Sequence, residues 1–179
     1  MTSSRAHEAQ LVPTNGIELC IQSFGDPAAP TLVLIGGAEA SMEWWADEFC
    51  ERLAAGGRHV IRYDTRDTGR STTFPLGRPP YGSDALLADL LGLLDELGIA
   101  AAHVVAHSMG GDTAQRLTVF RPARVASLTL IAASPDGPAG PGHPELPADE
   151  WRGEPEARRS SEASRLVGSR VGHHLLHRG

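Results

Sequence analysis

At 179 residues the chain has room for one domain with its own core, and an apolar fraction of 41% excludes general disorder. A net charge of −6, with every basic residue an arginine, argues against nucleic acid as a partner. No apolar run reaches the roughly 20 residues of a membrane span, and MTSSRAHEAQ lacks the apolar core of a secretory signal, so a cytoplasmic protein with no membrane partner is expected.

The first ordered piece reads as a hairpin. QLVP and IELCIQSF flank Thr14-Asn15-Gly16, and Asn-Gly favours a tight turn at positive φ. TLVLIGG, 31–37, is apolar throughout, as a strand covered on both faces would be. SMEWWADEFCERLAAGG predicts a helix capped by Ser41, with Trp45, Phe49 and Leu53 on one face and Gly56-Gly57 as its stop. RHVIRYD, 58–64, is the next buried strand. After a loop rich in Arg, Thr, Gly and Pro, SDALLADLLGLLDELG predicts a helix capped by Ser83 or Asp84 and stopped by Gly98. AHVVAH is a strand, SMGGDTAQRLTVF a helix ending before Arg121-Pro122, and VASLTLIAA, 125–133, a last strand. Strands alternating with helices at this spacing make an α/β fold: a mostly parallel sheet with helices on both faces. Cys20 and Cys50 form no spaced motif and read as free, reduced thiols.

Composition changes near Ser134. SPDGPAGPGHPELP is loop-like, and residues 151–179 carry six Arg against three Glu, whereas the first 150 residues are net negative. The expected organisation is a core over 1–133 and a loop-rich, poorly ordered or loosely helical tail over 134–179. The tail's HHLLH, 173–177, lacks the H-E-x-x-H pattern and reads as solvated, so no metal is expected. Neither a P-loop nor a dinucleotide fingerprint is present, so no cofactor is expected.

Chemistry concentrates in VVAHSMGGDTAQ, 104–115. Ala106-His107-Ser108-Met109-Gly110 is a G-x-S-x-G variant lying between an apolar strand and a helix. A sharp turn there would hold Ser108 in a strained backbone conformation with its hydroxyl exposed, and bulky residues two positions either side would collide. The Met109 N–H, at the helix start, would face an oxyanion. A second donor is expected from Gly36-Gly37-Ala38, after the first parallel strand, with Gly37 first choice and Ala38 second. The other reading of the serine is an ordinary strand–turn–helix with a helix-capping hydroxyl.

LVLIGG, EWWADEFCERLAAGGRHVIRYDTRDTGRSTT, PYGSDALLADLLGLLDELGI and AAHVVAHSMGG, in that order and spacing, resemble the α/β-hydrolases, and within them the aclacinomycin methylesterase group, over roughly 10–133. In DTRDTGRST the resemblance implies that Asp64, Arg66, Asp67 and Arg70 brace a loop beside the serine. It also implies an eight-stranded sheet, a cap after strand six, a triad acid after strand seven and a triad histidine after strand eight. On that count the chain is expected to stop matching just after strand six, without triad acid or histidine. Asp136 is the candidate acid that remains, and His143, His173, His174 and His177 are candidate bases. His107 should point away from the Ser108 hydroxyl, while His59 and His103 open strands. The expected function is hydrolysis of a small-molecule ester, a methyl ester on the resemblance, by acyl transfer through Ser108 without cofactor or metal. The alternatives are a weak or inactive truncated hydrolase acting as a binding module, and a cofactor-free haloperoxidase or perhydrolase. Truncation would leave VASLTLIAA as an open sheet edge through which copies could associate.

Overall fold

The computed structural model describes residues 8–75, 77 and 79–134. These belong, up to Ala133, to a single unit. In chain order its strands are β1 (Gln10–Thr14), β2 (Ile17–Phe24), β3 (Thr31–Ile35), β4 (His59–Tyr63), β5 (Ala102–His107) and β6 (Val125–Ile131). The helices are α1 (Asp47–Ala55), α2 (Ser83–Glu96) and α3 (Gly110–Phe120), with short 3-10 turns at Met42–Trp44 and Pro122–Arg124.

All six strands join one sheet in the order β1-β2-β4-β3-β5-β6. The hairpin β1–β2 is antiparallel, and β2 runs antiparallel to β4. From β4 through β3 and β5 to β6 the sheet is parallel. Thr14 pairs with Ile17 across a two-residue turn. Both turn residues have positive φ, 45° at Asn15 and 75° at Gly16, which is why Asn-Gly suits the position.

Period-two alternation divides the apolar strands between two faces. Val33, Ile35, Ile61, Tyr63, Val104 and Ala106 pack with Leu90, Leu93 and Leu94 of α2 and Ala114 and Leu117 of α3. Leu32, Leu34 and Val60 pack on the other face with Phe24, Trp45 and Cys50. Helices therefore cover both faces of a mostly parallel sheet, as the strand composition requires. Among the described residues no helix is long and apolar enough to cross a membrane. None of them pairs with the far edge of β6, whose residues are half-buried or exposed.

Three local expectations need correction. The helix expected from Ser41 begins at Asp47, with Ala46 at its N-cap, and the stretch before it is a 3-10 turn to which the Ser41 side chain gives no capping bond. Asp64 accounts for the difference: its Oδ1 accepts the Met42 N–H at 2.7 Å, holding that turn apart from α1. Phe49, placed on the core face by spacing, is 42% exposed, and Cys50 is the buried residue of the helix. Neither Ser83 nor Asp84 caps α2: Gly82 takes the N-cap position. Both lie inside the first turn, where the Ser83 hydroxyl accepts a 2.8 Å bond from Arg116 and Asp84 pairs with the same guanidinium.

Candidate active site

The C-terminal ends of the parallel strands set the site. β5 runs straight into α3 through Ser108 and Met109, so the chain must reverse within two residues. Ser108 does this at φ 50°, in the left-handed region that a residue with a Cβ rarely occupies. Its N–H donates to the Ile131 carbonyl at the end of β6 (3.0 Å), and its own carbonyl accepts the Gly111 N–H (2.9 Å), the first bond of α3. Both backbone ends are thereby pinned, which is how a strain of about 1–3 kcal/mol can persist. Ser108 is exposed, and its hydroxyl enters no hydrogen bond among the described residues.

The small residues expected around the serine are demanded by contact. Ala106 is fully buried. A Cβ at Gly110 would lie 2.4 Å from the Gly36 carbonyl oxygen and 2.8 Å from Ile35 Cγ2, so the start of α3 touches the end of β3 directly. That contact carries the Gly36-Gly37 segment to the serine: a Cβ at Gly37 would lie 3.3 Å from Ser108 Cβ and 3.0 Å from His107 Nδ1. Among the described residues the N–H groups of Gly37 and Met109 have no partner. Two backbone N–H groups without a partner thus lie close to an exposed hydroxyl, beside the N-terminus of α3.

Large apolar side chains neighbour Ser108 and His107. Trp44 and Met109 are exposed by 51% and 43%. Trp44 stacks on the His107 ring, centroids 4.2 Å and planes 19° apart, and meets Trp45 edge-on at 4.8 Å. His107 Nδ1 is buried without a hydrogen-bond partner among the described residues, a state that costs about 1–3 kcal/mol. Sequence spacing gave no sign of the Trp44–His107 contact, which joins residues 63 positions apart on different elements.

The loop after β4 is built quite differently. Asp64 is 2% exposed and accepts from the Met42 N–H and, at 2.8 Å, from the Arg70 N–H. Ser71 donates to the Asp64 carbonyl at 2.7 Å and accepts the Cys20 N–H at 2.8 Å. Arg66 forms a buried two-point pair with Asp89 of α2, at 2.7 and 2.5 Å, and Asp89 also accepts from Asn15 of the hairpin turn at 2.8 Å. The guanidinium lies under the Tyr81 and Phe74 rings. Asp67 accepts the Phe74 N–H at 2.6 Å and the Tyr81 hydroxyl. Burial first, then that bond to Asp67, push the Tyr81 phenol up to about 12. Asp64 and Arg66 are thus buried braces and Asp67 an exposed one, as the resemblance implied, whereas Arg70 is exposed and contributes its backbone N–H.

Other candidates for chemistry are accounted for. His59 and His103 are within reach of Thr31 (3.4 Å) and Ser127 (2.8 Å). Cys20 and Cys50 are free and buried, and burial pushes the Cys50 thiol up to about 11, so neither is a thiolate nucleophile near neutral pH. Among the described residues no cluster of three or more His, Cys, Asp or Glu could hold a metal ion. Asp136, His143, His173, His174 and His177 lie outside the described residues, and the described ones bring no histidine to the Ser108 hydroxyl. A surface concavity lined by residues 13–18, Thr72 and Glu96 sits at the hairpin turn, at the other end of the strand order from β5.

The family profile for the alpha/beta hydrolase fold matches residues 30–178, extending past the point where the sequence motifs stop matching. The rhodomycin D methylesterase DauP of Streptomyces sp. (strain C5) is 43% identical over 122 residues, which are 68% of this chain and 41% of that protein. The chain thus spans about two fifths of the methylesterase's length. Among solved structures, epoxide hydrolase A from Mycobacterium thermoresistibile superposes with a TM-score of 0.63 at 30% identity, covering 69% of this chain and 38% of that one. The enol-lactonase from Burkholderia xenovorans LB400 gives a TM-score of 0.60 at 32% identity, over 66% and 45% of the two chains.

Proposed function

The chain belongs to the alpha/beta hydrolase fold family, and from that premise we propose that it hydrolyses carboxylic esters, methyl esters foremost, with Ser108 as nucleophile. The observation that carries this reading is the left-handed backbone of Ser108, exposed at the joint between β5 and α3 with Gly37 against it. In the proposed reaction the Ser108 oxygen bonds to the carbonyl carbon while its proton passes to a general base. Negative charge gathers on the former carbonyl oxygen, opposite the N–H groups of Gly37 and Met109. The C–O bond to the alcohol breaks, and the base returns the proton to the leaving oxygen. Water then cleaves the acyl-serine by the reverse sequence, releasing the acid.

Similarity to the methylesterase supports the choice of a methyl ester. The general base and its acid are sought among Asp136 and the histidines from His143 onward, since His59, His103 and His107 are engaged elsewhere. We further propose the core at 1–133 as the part that holds the nucleophile, and the ester as a small molecule.

A fluorophosphonate probe read by peptide mass spectrometry tests the nucleophile, beside turnover of a short-chain nitrophenyl ester. An adduct on the Ser108 peptide, absent in Ser108→Ala, is expected. Loss of the hydroxyl should lower kcat by a factor on the order of 10⁶ in a fully assembled site. Turnover in Ser108→Ala equal to that of the parent, or a parent left unlabelled where an intact relative reacts, would overturn the assignment.

A further inference from the structure

Nothing in the reaction outlined above uses His107, yet its imidazole is packed on two sides next to the serine. One ring face lies on Trp44 at 4.2 Å. The buried Nδ1, unpaired among the described residues, faces Gly37, whose Cβ would stand only 3.0 Å away. The ring is thus a spacer between an indole and the backbone that carries one of the two oxyanion donors. Trp44 is held in turn from below: it closes the 3-10 turn whose Met42 N–H is bound by the buried Asp64 carboxylate at 2.7 Å, and it abuts the buried Trp45. Gly36-Gly37-Ala38 has little stiffness of its own, because glycine restricts its backbone least. A donor on such a segment keeps its position only if packing fixes it, and misplacement by about 1 Å can cost on the order of 10² in rate.

We propose that His107 is a positioning residue for the oxyanion pocket: clamped by Trp44, its ring props Gly37 so that the Gly37 N–H stays directed at the oxygen bound beside Ser108. The proposal rests on Ser108 being the nucleophile. In it His107 touches no reacting atom and moves no proton.

The test uses the full chain and diisopropyl fluorophosphate, whose phosphoryl oxygen would occupy the same pocket. Labelling rates at rising reagent concentration separate binding from the bonding step. Trp44→Ala and His107→Ala should each slow the bonding step about tenfold, a fraction of the 10²–10³ that follows outright loss of a donor, while half-saturation changes less than twofold. Because the two residues act through one contact, the double variant should be no slower than either single. His107→Phe, which keeps a ring on Trp44, should recover the parent rate to within threefold. Trp44 is half exposed, so its truncation leaves the fold intact even if His107→Ala does not. The Gly37 amide resonance should shift in Trp44→Ala and His107→Ala and stay in place in His107→Phe. Alanine variants within twofold of the parent, or losses that multiply in the double variant, would overturn the prop. Should the parent fail to label at Ser108, the nucleophile reading falls and the Gly37 amide alone decides: an unmoved resonance in both alanine variants overturns the role of His107.

Discussion

Two loops sit at the same end of the parallel sheet, one after β4 and one after β5, and they treat their polar groups in opposite ways. In the first, the buried Asp64, Arg66 and Ser71 turn inward and find partners: Asp64 with two backbone N–H groups, Arg66 with Asp89, Ser71 with Asp64 and Cys20. At the second loop Ser108 and Met109 are exposed, and the Ser108 hydroxyl and Met109 N–H, like the N–H of the buried Gly37 beside them, have no partner among the described residues. Charge density therefore misleads as a guide to chemistry here. The loop with four charged residues engages most of them in internal bonds, and the loop with one neutral hydroxyl is the one on which the proposed chemistry rests. Buried polar atoms are as a rule satisfied from within the protein, whereas an exposed one such as the Ser108 hydroxyl is left to solvent or a ligand.

The comparison breaks first at the Arg66–Asp89 pair, where the largest effect on stability is expected. Asp89→Ala would leave a guanidinium that is 5% exposed without its carboxylate, and would also free Asn15 of the hairpin turn. A loss of about 3–5 kcal/mol in urea unfolding is expected. In the folded fraction at low urea, labelling of Ser108 should be unchanged, because nothing in the pair reaches the elbow. A folded Asp89→Ala protein with no labelling would show that the two loops are not separate in role.

Asp64 is also linked to the second loop indirectly: it holds the Met42–Trp44 turn after β3, and Trp44 stacks on His107 at the end of β5. Asp64→Asn keeps the shape but turns an amide N–H toward either the Met42 or the Arg70 N–H, so one bond is replaced by two opposed donors. Unfolding should show a loss of about 1–3 kcal/mol. Unlike Asp89→Ala, this variant should also slow Ser108 labelling a few-fold. A stability loss with no change in labelling would cut the link between the loops and confine Asp64 to scaffold.

How much of this was legible beforehand follows from the range of each interaction. β3 showed as an unbroken apolar run, β1 and β2 as segments flanking Asn-Gly, α2 as a leucine-rich stretch ended by Gly98, and the elbow as small residues around Ser108, because each is written within about 15 consecutive residues. Helix starts failed where a distant group intervened: Asp64 holds the turn before α1, and Arg116 takes the side chains expected to cap α2. The Trp44–His107 stack and the Arg66–Asp89 pair were invisible for the same reason, since no periodicity encodes contacts between separate elements. The acid and base stayed open in the sequence because nothing in their spacing selected one candidate, and the candidates lie outside the described residues.

The smallest expected effect is the one with an unusual sign. Ser108 sits at φ 50°, which costs a residue with a Cβ roughly 1–2 kcal/mol relative to glycine. Its hydroxyl has no hydrogen bond among the described residues to set against that. Ser108→Gly should therefore remove the strain and lose no contact, while the extra freedom of glycine in the unfolded chain takes back about 0.5–1 kcal/mol. A net gain of about 0.5–1 kcal/mol in urea unfolding is expected, together with complete loss of labelling. Ser108→Val, with a branched Cβ at the same φ, should move stability the other way. A scaffold residue shows the opposite pattern, as Asp89 is expected to: stability lost and labelling kept. Should Ser108→Gly prove less stable than the parent, the turn is relaxed rather than strained, and the serine belongs with the braces of the neighbouring loop.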